Sequence, residues 1–285
     1  SSHIGAMHNG ARRWIEFNGL RLQPSDLGKL AMVICLASYL AANQRYITTF
    51  WRGFVLPMLI VGLFSGLIIK EPDFGTAALC GIVWFTLMFL AGTRLLYLIP
   101  CVLSGAAGYS ILVYFDPVRI QRVISFLDVQ ANKSGSAYQL YNSIVGFGAG
   151  GVTGVGLGQG VQQLAYLPEA HTDFVLAVMG EELGLVATAS VALIFLVMFV
   201  VSIRALRRAP NLFEFTLACG ALLMLIGQAL INMGVVTGLL PTKGMSLPFI
   251  SYGGTNLVLM FALVGLLMNC FRRWERPVMP QASEL

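Results

Sequence analysis

The chain has 285 residues, of which 57% are hydrophobic and only 11% are charged, and its formal net charge is +5. A soluble domain of this length rarely buries so much apolar surface, and long apolar runs are typical of a polytopic membrane protein. The runs lack the alternation of a membrane β-barrel, so they predict helices. Five scattered cysteines, three histidines and no CxxC pair argue against a disulfide framework or a structural zinc site.

Seven apolar segments approach the roughly 17–25 residues that a helix needs to cross a bilayer. They are Leu27–Ala42, Trp51–Ile69, Gly75–Ala91, Leu95–Phe115, Asp173–Val201, Phe213–Leu239 and Leu247–Phe271. We therefore predict an all-α fold, a polytopic membrane helix bundle that forms one domain over residues 1–285. A large extracytoplasmic loop, residues 116–172, belongs to this domain.

Arginines in the short loops predict the orientation of the bundle, because cytoplasmic loops are enriched in Lys and Arg. The loops that carry Arg45, Arg94, Arg204 and Arg272 are therefore expected on the cytoplasmic side of the membrane. Several basic residues nevertheless fall on the opposite side, where they suggest an anionic ligand or contacts with lipid headgroups. They are Arg12, Arg13, Arg21, Lys70, Arg119, Arg122, Lys133 and Lys243.

The 116–172 loop is long enough to suggest a function of its own. Its first part, FDPVRIQRVISFLD, has apolar residues at helical spacing and predicts a short amphipathic helix on the membrane surface. The later stretch GFGAGGVTGVGLGQG superficially matches a nucleotide-binding loop, but no strand precedes it. Tight backbone packing at the membrane surface is the better interpretation, and a re-entrant hairpin is one form that it could take.

Acidic residues stand at the start of the fifth apolar segment, in LPEAHTDFVLAVMGEELG. Asp173 lies at the junction of loop and helix, where a carboxylate stabilises the helix N-terminus and can also act as a general base. Glu181 and Glu182 lie about two turns further along, so they should face the bundle interior and pair with Arg or Lys. Glu182 is predicted to be a structural acid in the wall of a cavity.

Four polar clusters converge on the predicted outer side. Besides the stretch around Asp173, they are the turn KEPDFGT, the stretch NGARRW and the segment PTKGMSLPFISYGGTN. Prolines and glycines interrupt the last of these, and irregular backbone at membrane depth is tolerated only where it lines protein or a cavity. The sequence therefore predicts a ligand site on one side of the membrane.

The same stretches resemble the SEDS (shape, elongation, division and sporulation) family, the FtsW and RodA proteins of bacteria. The resemblance rests on NGARRWI, QPSDLGKL, KEPDFGTA, LPEAHTDFVLAVMGEELG and PTKGMSLPFISYGGTN, which cover nearly the whole chain in family order. LPEAHTDF, GEELG and the lysine of PTKG are more similar to the FtsW branch than to RodA. Family members have about ten spans, so the resemblance implies that roughly three N-terminal helices are absent from this chain.

The resemblance implies an inverting peptidoglycan glycosyltransferase that polymerises lipid II, a disaccharide-peptide on undecaprenyl diphosphate. The resemblance also implies that the enzyme acts at the outer face of the cytoplasmic membrane, at the division septum. Its expected partners are a class B penicillin-binding protein and other divisome membrane proteins, and no nucleic acid is expected to bind. Asp173 matches the essential loop aspartate of the family, and we assign it as the general base. The residues expected to face the sugar or diphosphate are Arg12, Arg13, Lys70, Glu71, His171, Lys243 and Ser251. No cofactor is certain, and a divalent cation, Mg²⁺ or Mn²⁺, could assist.

Three other interpretations stay open at this point. A lipid II flippase would use a similar charged cavity, but it predicts substrate access from both faces, whereas the polar clusters gather on one. A scaffold that only recruits the penicillin-binding protein leaves Asp173 without a role. A RodA-like polymerase of cell elongation differs from the division enzyme only in its motif preferences.

Overall fold

The computed structural model describes residues 5–8, 11–17, 20–71, 73–162, 168 and 170–275. Its N-terminal part is an antiparallel sheet of three short strands, β1 (Gly5–His8), β2 (Ala11–Phe17) and β3 (Leu20–Leu22), in the order β1-β2-β3. This sheet was not predicted from the sequence. β3 leads directly into the first helix, and the Gln23 amide donates to Thr255 Oγ1 at 3.2 Å.

Nine α-helices follow in the described residues. They are α1 (Pro24–Ala42), α2 (Leu56–Lys70), α3 (Phe74–Ala91), α4 (Leu95–Tyr114), α5 (Pro117–Leu127), α6 (Tyr138–Gly150), α7 (Val175–Leu206), α8 (Leu212–Val236) and α9 (Gly254–Trp274). A π-helical turn, Trp51–Val55, continues into α2. The prediction of a helical membrane bundle is confirmed, with the small sheet added to it.

Six helices are long and apolar enough to cross a membrane: α1, α2 with its π-helical turn, α3, α7, α8 and α9. The remaining predicted span, Leu95–Phe115, corresponds to α4, whose described apolar part, Leu95–Ile111, is shorter. The last predicted span began too early. Helix α9 starts at Gly254 rather than at Leu247, because Pro248 and Gly253 precede it and the chain has a left-handed conformation at Phe249 (φ 66°).

Helix α8 lies at the centre of the bundle. It packs against α1, α3, α7 and α9. In its most apolar stretch 72% of residues are buried, against 22–44% in the other five spans. Leucines of α8, such as Leu222 and Leu225, are fully buried together with Leu36 of α1 and Leu87 of α3. The outward faces of the other helices are apolar and exposed, as expected for surfaces that contact lipid.

Helix α5 has the amphipathic character predicted for the start of the long loop. The Asp116 carboxylate caps it by accepting from the Val118 amide at 3.0 Å. Apolar side chains on α5 are exposed, with Leu127 at 77%, whereas Arg119 is half-buried. Its position on the membrane surface stays a prediction.

The glycine-rich stretch after α6 packs into a break in α7. Gly184 interrupts α7 with φ 73° and ψ −169°, a conformation available almost only to glycine. At the break, the Val155 and Gly156 amides donate to the carbonyls of Glu181 and Glu182, each at 3.0 Å. In return the Leu185 and Val186 amides donate to Gly151 and Val152. The loop thus satisfies the backbone groups that the broken helix leaves open, as tight backbone packing predicted.

Replacing Gly184 by alanine is expected to destabilise the protein strongly. The positive φ alone costs about 1–3 kcal/mol for a residue with a side chain. A Cβ atom there would also lie 2.4 Å from both the Gly154 nitrogen and the Val152 oxygen, which are backbone atoms that cannot rotate away. Thermal unfolding in detergent measures the loss. The control is Gly265→Ala, an exposed helical position with no atom within 4 Å of the added Cβ. Equal melting temperatures for the two variants would contradict the account of the break.

Candidate active site at one end of the bundle

Three hydrogen bonds hold the stretch around Asp173 against the segment 241–253, which leads into α9. The Asn232 side chain of α8 donates to the Asp173 carbonyl at 2.8 Å and to the Met245 carbonyl at 2.6 Å. The Tyr252 amide donates to the His171 carbonyl at 2.9 Å. Asn232 is only 2% exposed, so a buried amide side chain holds the two segments together.

The Asp173 carboxylate lies directly against Gly244. A Cβ atom at Gly244 would be 2.5 Å from Asp173 Oδ2, so this approach requires a residue without a side chain. Asp173 is half-buried and precedes Phe174, the N-cap residue of α7. The carboxylate is therefore held against the PTKG motif, at the residue that follows Lys243, at the end of the bundle that was predicted to face outward.

Lys243 connects this site to the turn between α2 and α3. Its aliphatic stem packs on Gly75, where an added Cβ would lie 2.7 Å from Lys243 Cε. Its ammonium group is 3.8 Å from Asp73 Oδ1 and 5.4 Å from the centre of the Phe74 ring. Asp73 also caps α3, since it accepts from the Thr76 amide at 3.1 Å. The predicted convergence of the KEPDFGT and PTKG motifs is thus observed in the structure.

Arg119 of α5 approaches the same turn. Its guanidinium carbon lies 3.8 Å from the centre of the Phe74 ring, and its Nε is 2.9 Å from Asp116 Oδ2. Arg119 and Lys243 thus both lie over Phe74. Arg119 is one of the cations that were predicted to lie on the outer side, but it was not assigned to the site.

A buried polar network starts on α1 and reaches the 241–253 segment. Lys29 pairs with Asp26 at 2.8 Å and donates to Gln228 Oε1 at 3.2 Å. The Gln228 amide nitrogen then donates to the Ser246 carbonyl and to Asn256 Oδ1, each at 2.9 Å. Lys29 is only 4% exposed. Sequence reasoning missed this network, although a charged pair three residues apart in an apolar helix was an available signal.

The other residues expected to face substrate differ in their placement. Lys70 and His171 are exposed, and Glu71 is half-buried at the end of α2. Ser251 is buried, and its hydroxyl accepts from the Leu247 amide at 2.6 Å, a bond that shapes the loop. Arg12 and Arg13 belong to β2, but their side chains lie outside what the structure describes.

Glu181 and Glu182 are both buried, as expected for acids at this depth. The expected Lys or Arg partner of Glu181 is replaced by backbone: its two oxygens accept from the Val161 and Gln162 amides, each at 3.1 Å. The Glu182 side chain packs against Gly160. Among the described residues, no group of three or more His, Cys, Asp or Glu could hold a metal ion.

Comparison with known proteins agrees with this architecture. The model of the FtsW/RodA/SpoVE family, described as cell cycle proteins, matches residues 1–275. A probable peptidoglycan glycosyltransferase FtsW from Coxiella burnetii is 44% identical over 269 residues, which are 93% of this chain and 72% of that protein. Stage V sporulation protein E from Bacillus subtilis is 40% identical over 269 residues, 94% of this chain and 74% of its own length.

Two solved structures extend the likeness to the fold. A chain from a study of polymerisation and crosslinking by a peptidoglycan synthase complex matches with a TM-score of 0.78 at 27% identity, over 96% of this chain and 77% of that one. The rod shape determining protein RodA of Thermus thermophilus matches with a TM-score of 0.68 at 26% identity, over 96% and 74%. These findings confirm the resemblance seen in the motifs. The chain belongs to the FtsW/RodA/SpoVE family.

Proposed function

We propose that this chain is a peptidoglycan glycosyltransferase that polymerises lipid II into glycan strands. Its family and its relatives named as glycosyltransferases support the activity. The observation that carries the proposal is the carboxylate of Asp173, held at one end of a membrane helix bundle against Gly244, the residue that follows Lys243 in the chain. A base next to a cation is what glycosyl transfer from a lipid diphosphate needs.

In the proposed reaction, the 4-hydroxyl of an acceptor sugar attacks the anomeric carbon of the donor. A new C–O bond forms as the bond to the diphosphate breaks, and the anomeric centre inverts. Asp173 takes the proton of the attacking hydroxyl. The lipid diphosphate leaves with the electron pair of the broken bond, and the developing negative charge is stabilised by Lys243. Preorganised positive charge at such a position typically contributes several kcal/mol, of the order of 3 kcal/mol per group.

Arg119 is a further candidate for the diphosphate, because it lies over the same Phe74 ring as Lys243. Asp116 and Asp73 hold the two cations in place through ion pairs at 2.9 and 3.8 Å. We propose Lys70, Glu71, His171, Arg12 and Arg13 as surrounding substrate contacts. Ser251 then acts by holding the loop that carries Lys243, through its bond to the Leu247 amide.

The proposal includes the setting of the reaction. We place the site at the extracytoplasmic face of the bacterial cytoplasmic membrane, with the division septum as the location, because the motifs favour the FtsW branch. A class B penicillin-binding protein is the proposed partner that crosslinks the product. A matching chain from a study of a peptidoglycan synthase complex supports such a pairing.

Polymerisation of purified lipid II in detergent micelles tests the proposal against the flippase alternative. Micelles have no two compartments, so a flippase has nothing to transport and makes no product. The protein is assayed together with its cognate penicillin-binding protein. Penicillin is added to block the transpeptidase activity of that partner. We expect glycan strands that lysozyme digests and that do not form with the penicillin-binding protein alone. A well-folded complex that makes no strands would contradict the proposal.

Replacing Gly244 by alanine is expected to impair polymerisation with little effect on folding. The added Cβ would meet Asp173 Oδ2, the mobile end of a side chain, so the carboxylate moves while the backbone stays. A displacement of about 1 Å at a reacting group can cost up to roughly 100-fold in rate. The measurement is the initial rate of strand formation at equal melting temperature, with Gly265→Ala as control. A wild-type rate in Gly244→Ala would argue against a fixed carboxylate at this position.

A further inference from the structure

Two amide side chains on one face of α8 hold successive peptide groups of the segment 241–253. Gln228 and Asn232 are four residues apart, so they lie one above the other along the helix. The Gln228 amide nitrogen donates to the Ser246 carbonyl at 2.9 Å, and that of Asn232 donates to the Met245 carbonyl at 2.6 Å. Both amides are only 2% exposed. The segment is therefore fixed to α8 at two neighbouring residues.

Asn232 has a second contact that Gln228 lacks. Its other N–H donates to the carbonyl of Asp173 at 2.8 Å, just before α7 begins. Fixing a peptide carbonyl restrains the backbone of its residue and, with it, the direction of the side chain. The same amide holds Met245, the residue after Gly244, against which the Asp173 carboxylate lies. One side chain thus restrains both the carboxylate-bearing residue and the surface that the carboxylate contacts.

The orientation of the Asn232 amide follows from its two acceptors. Rotating the amide by half a turn would place its oxygen against two carbonyl oxygens, so the nitrogen must face them. The Asn232 oxygen is buried and accepts no hydrogen bond from any residue that the structure describes. A buried acceptor without a donor lowers stability. A side chain that served only stability would satisfy both of its ends, so this arrangement favours a role in the position of Asp173.

We propose that Asn232 is a positioning residue for glycosyl transfer, which holds the Asp173 carboxylate where it can take the proton of the attacking hydroxyl. The inference rests on the proposed function, because it needs Asp173 as the base. Lys243 is held separately, by Asp73 at 3.8 Å and by packing of its stem on Gly75. Those contacts do not involve Asn232. Loss of Asn232 should therefore free the base and leave the cation that faces the diphosphate in place.

The test is the rate of strand formation by Asn232→Ala over a range of lipid II concentrations, in complex with the cognate penicillin-binding protein. Alanine leaves a polar space in which water can pair with the two carbonyls, so the fold is retained while the base loses its fixed position. We expect kcat to fall by roughly 10–100-fold and KM to change by less than about threefold. A wild-type kcat in the folded variant would overturn the inference.

The matched control is Ser143→Ala. The buried Ser143 hydroxyl of α6 donates to the Val236 carbonyl at 2.7 Å, one turn beyond Asn232 on α8. Its loss also leaves a carbonyl of the bundle unpaired, but it does not touch Asp173. Ser143→Ala should keep the wild-type kcat at a temperature where it is folded, even where its melting temperature is lower. An equal loss of kcat in both variants would overturn the inference, since general loosening of α8 would then explain it.

A double variant shows whether Asn232 acts through the carboxylate. In an Asp173→Asn background, adding Asn232→Ala should lower the remaining rate by less than about twofold, because the base is already gone. The full single-variant loss in that background would overturn the inference. Should Asn232→Ala fail to fold, Asn232→Ser, which keeps one hydroxyl donor, takes its place with a smaller loss of kcat.

The same assays separate this inference from the proposed function. A wild-type complex that makes no strands would overturn both. A loss of rate in Asp173→Asn together with an unchanged kcat in Asn232→Ala would overturn the positioning role alone and leave the glycosyltransferase intact.

Discussion

Replacing Asp173 by asparagine is expected to lower the rate of lipid II polymerisation by about 10²–10⁴-fold, the typical contribution of a general base. Asparagine has nearly the same shape, so it fits the space against Gly244, and the Asn232 bond to the backbone carbonyl of residue 173 is unaffected. It cannot accept the proton of the attacking hydroxyl. The loss should therefore appear in the rate and not in the stability of the fold.

The measurement compares initial rates of strand formation by the two proteins in complex with the same penicillin-binding protein. Melting temperature and co-purification of the partner serve as controls, and both should match the wild type. A variant that polymerises within a few-fold of the wild-type rate would remove Asp173 as the base. The cations over Phe74 would then have to carry the catalysis alone.

Replacing Lys29 by methionine is expected to destabilise the protein by about 3–5 kcal/mol, the usual cost of removing one partner of a buried ion pair. The change leaves the Asp26 carboxylate buried without its counter-charge at 2.8 Å. It also removes the donor to Gln228, which organises the bonds to Ser246 and Asn256. The 241–253 segment should loosen as a result.

The melting temperatures of Lys29→Met, Asp26→Leu and the double variant test this expectation. Replacing both partners by apolar residues removes the uncompensated charge, so the double variant should recover much of the stability lost in Lys29→Met. Additive losses in the double variant would mean that the two residues do not depend on each other. An unchanged melting temperature in Lys29→Met would contradict the buried network.

The sequence predicted the bundle well because the long apolar runs are a direct consequence of the bilayer, and six of the seven predicted spans are helices of sufficient length. The predicted boundary of the last span was wrong because local backbone conformation there competes with hydropathy. The segment Leu247–Gly253 is apolar enough to resemble the start of a span, yet its proline, its glycine and the left-handed Phe249 keep it out of α9. The short N-terminal sheet has no clear alternation that would have predicted it.

The sequence predicted which residues belong to the candidate site better than it predicted the contacts between them. The motifs around Asp173 and Lys243 marked the correct end of the bundle, but no spacing in the sequence could show that Gly244 touches the carboxylate. Asn232 was missed because an isolated amide side chain in an apolar helix gives little local signal, although polar residues inside a membrane span usually have a partner. Contacts between distant segments depend on packing, and no local pattern in a single sequence reveals which residues will meet.

Chemical rescue of the Asp173→Ala variant tests the central claim most directly. Alanine leaves a space where the carboxylate lay against Gly244, and formate is small enough to occupy it. The account predicts that Asp173→Ala makes almost no glycan strands and that added formate restores part of the rate, in proportion to its concentration, while chloride at equal ionic strength does not. Strand formation by Asp173→Ala at the wild-type rate, without any added carboxylate, would contradict it.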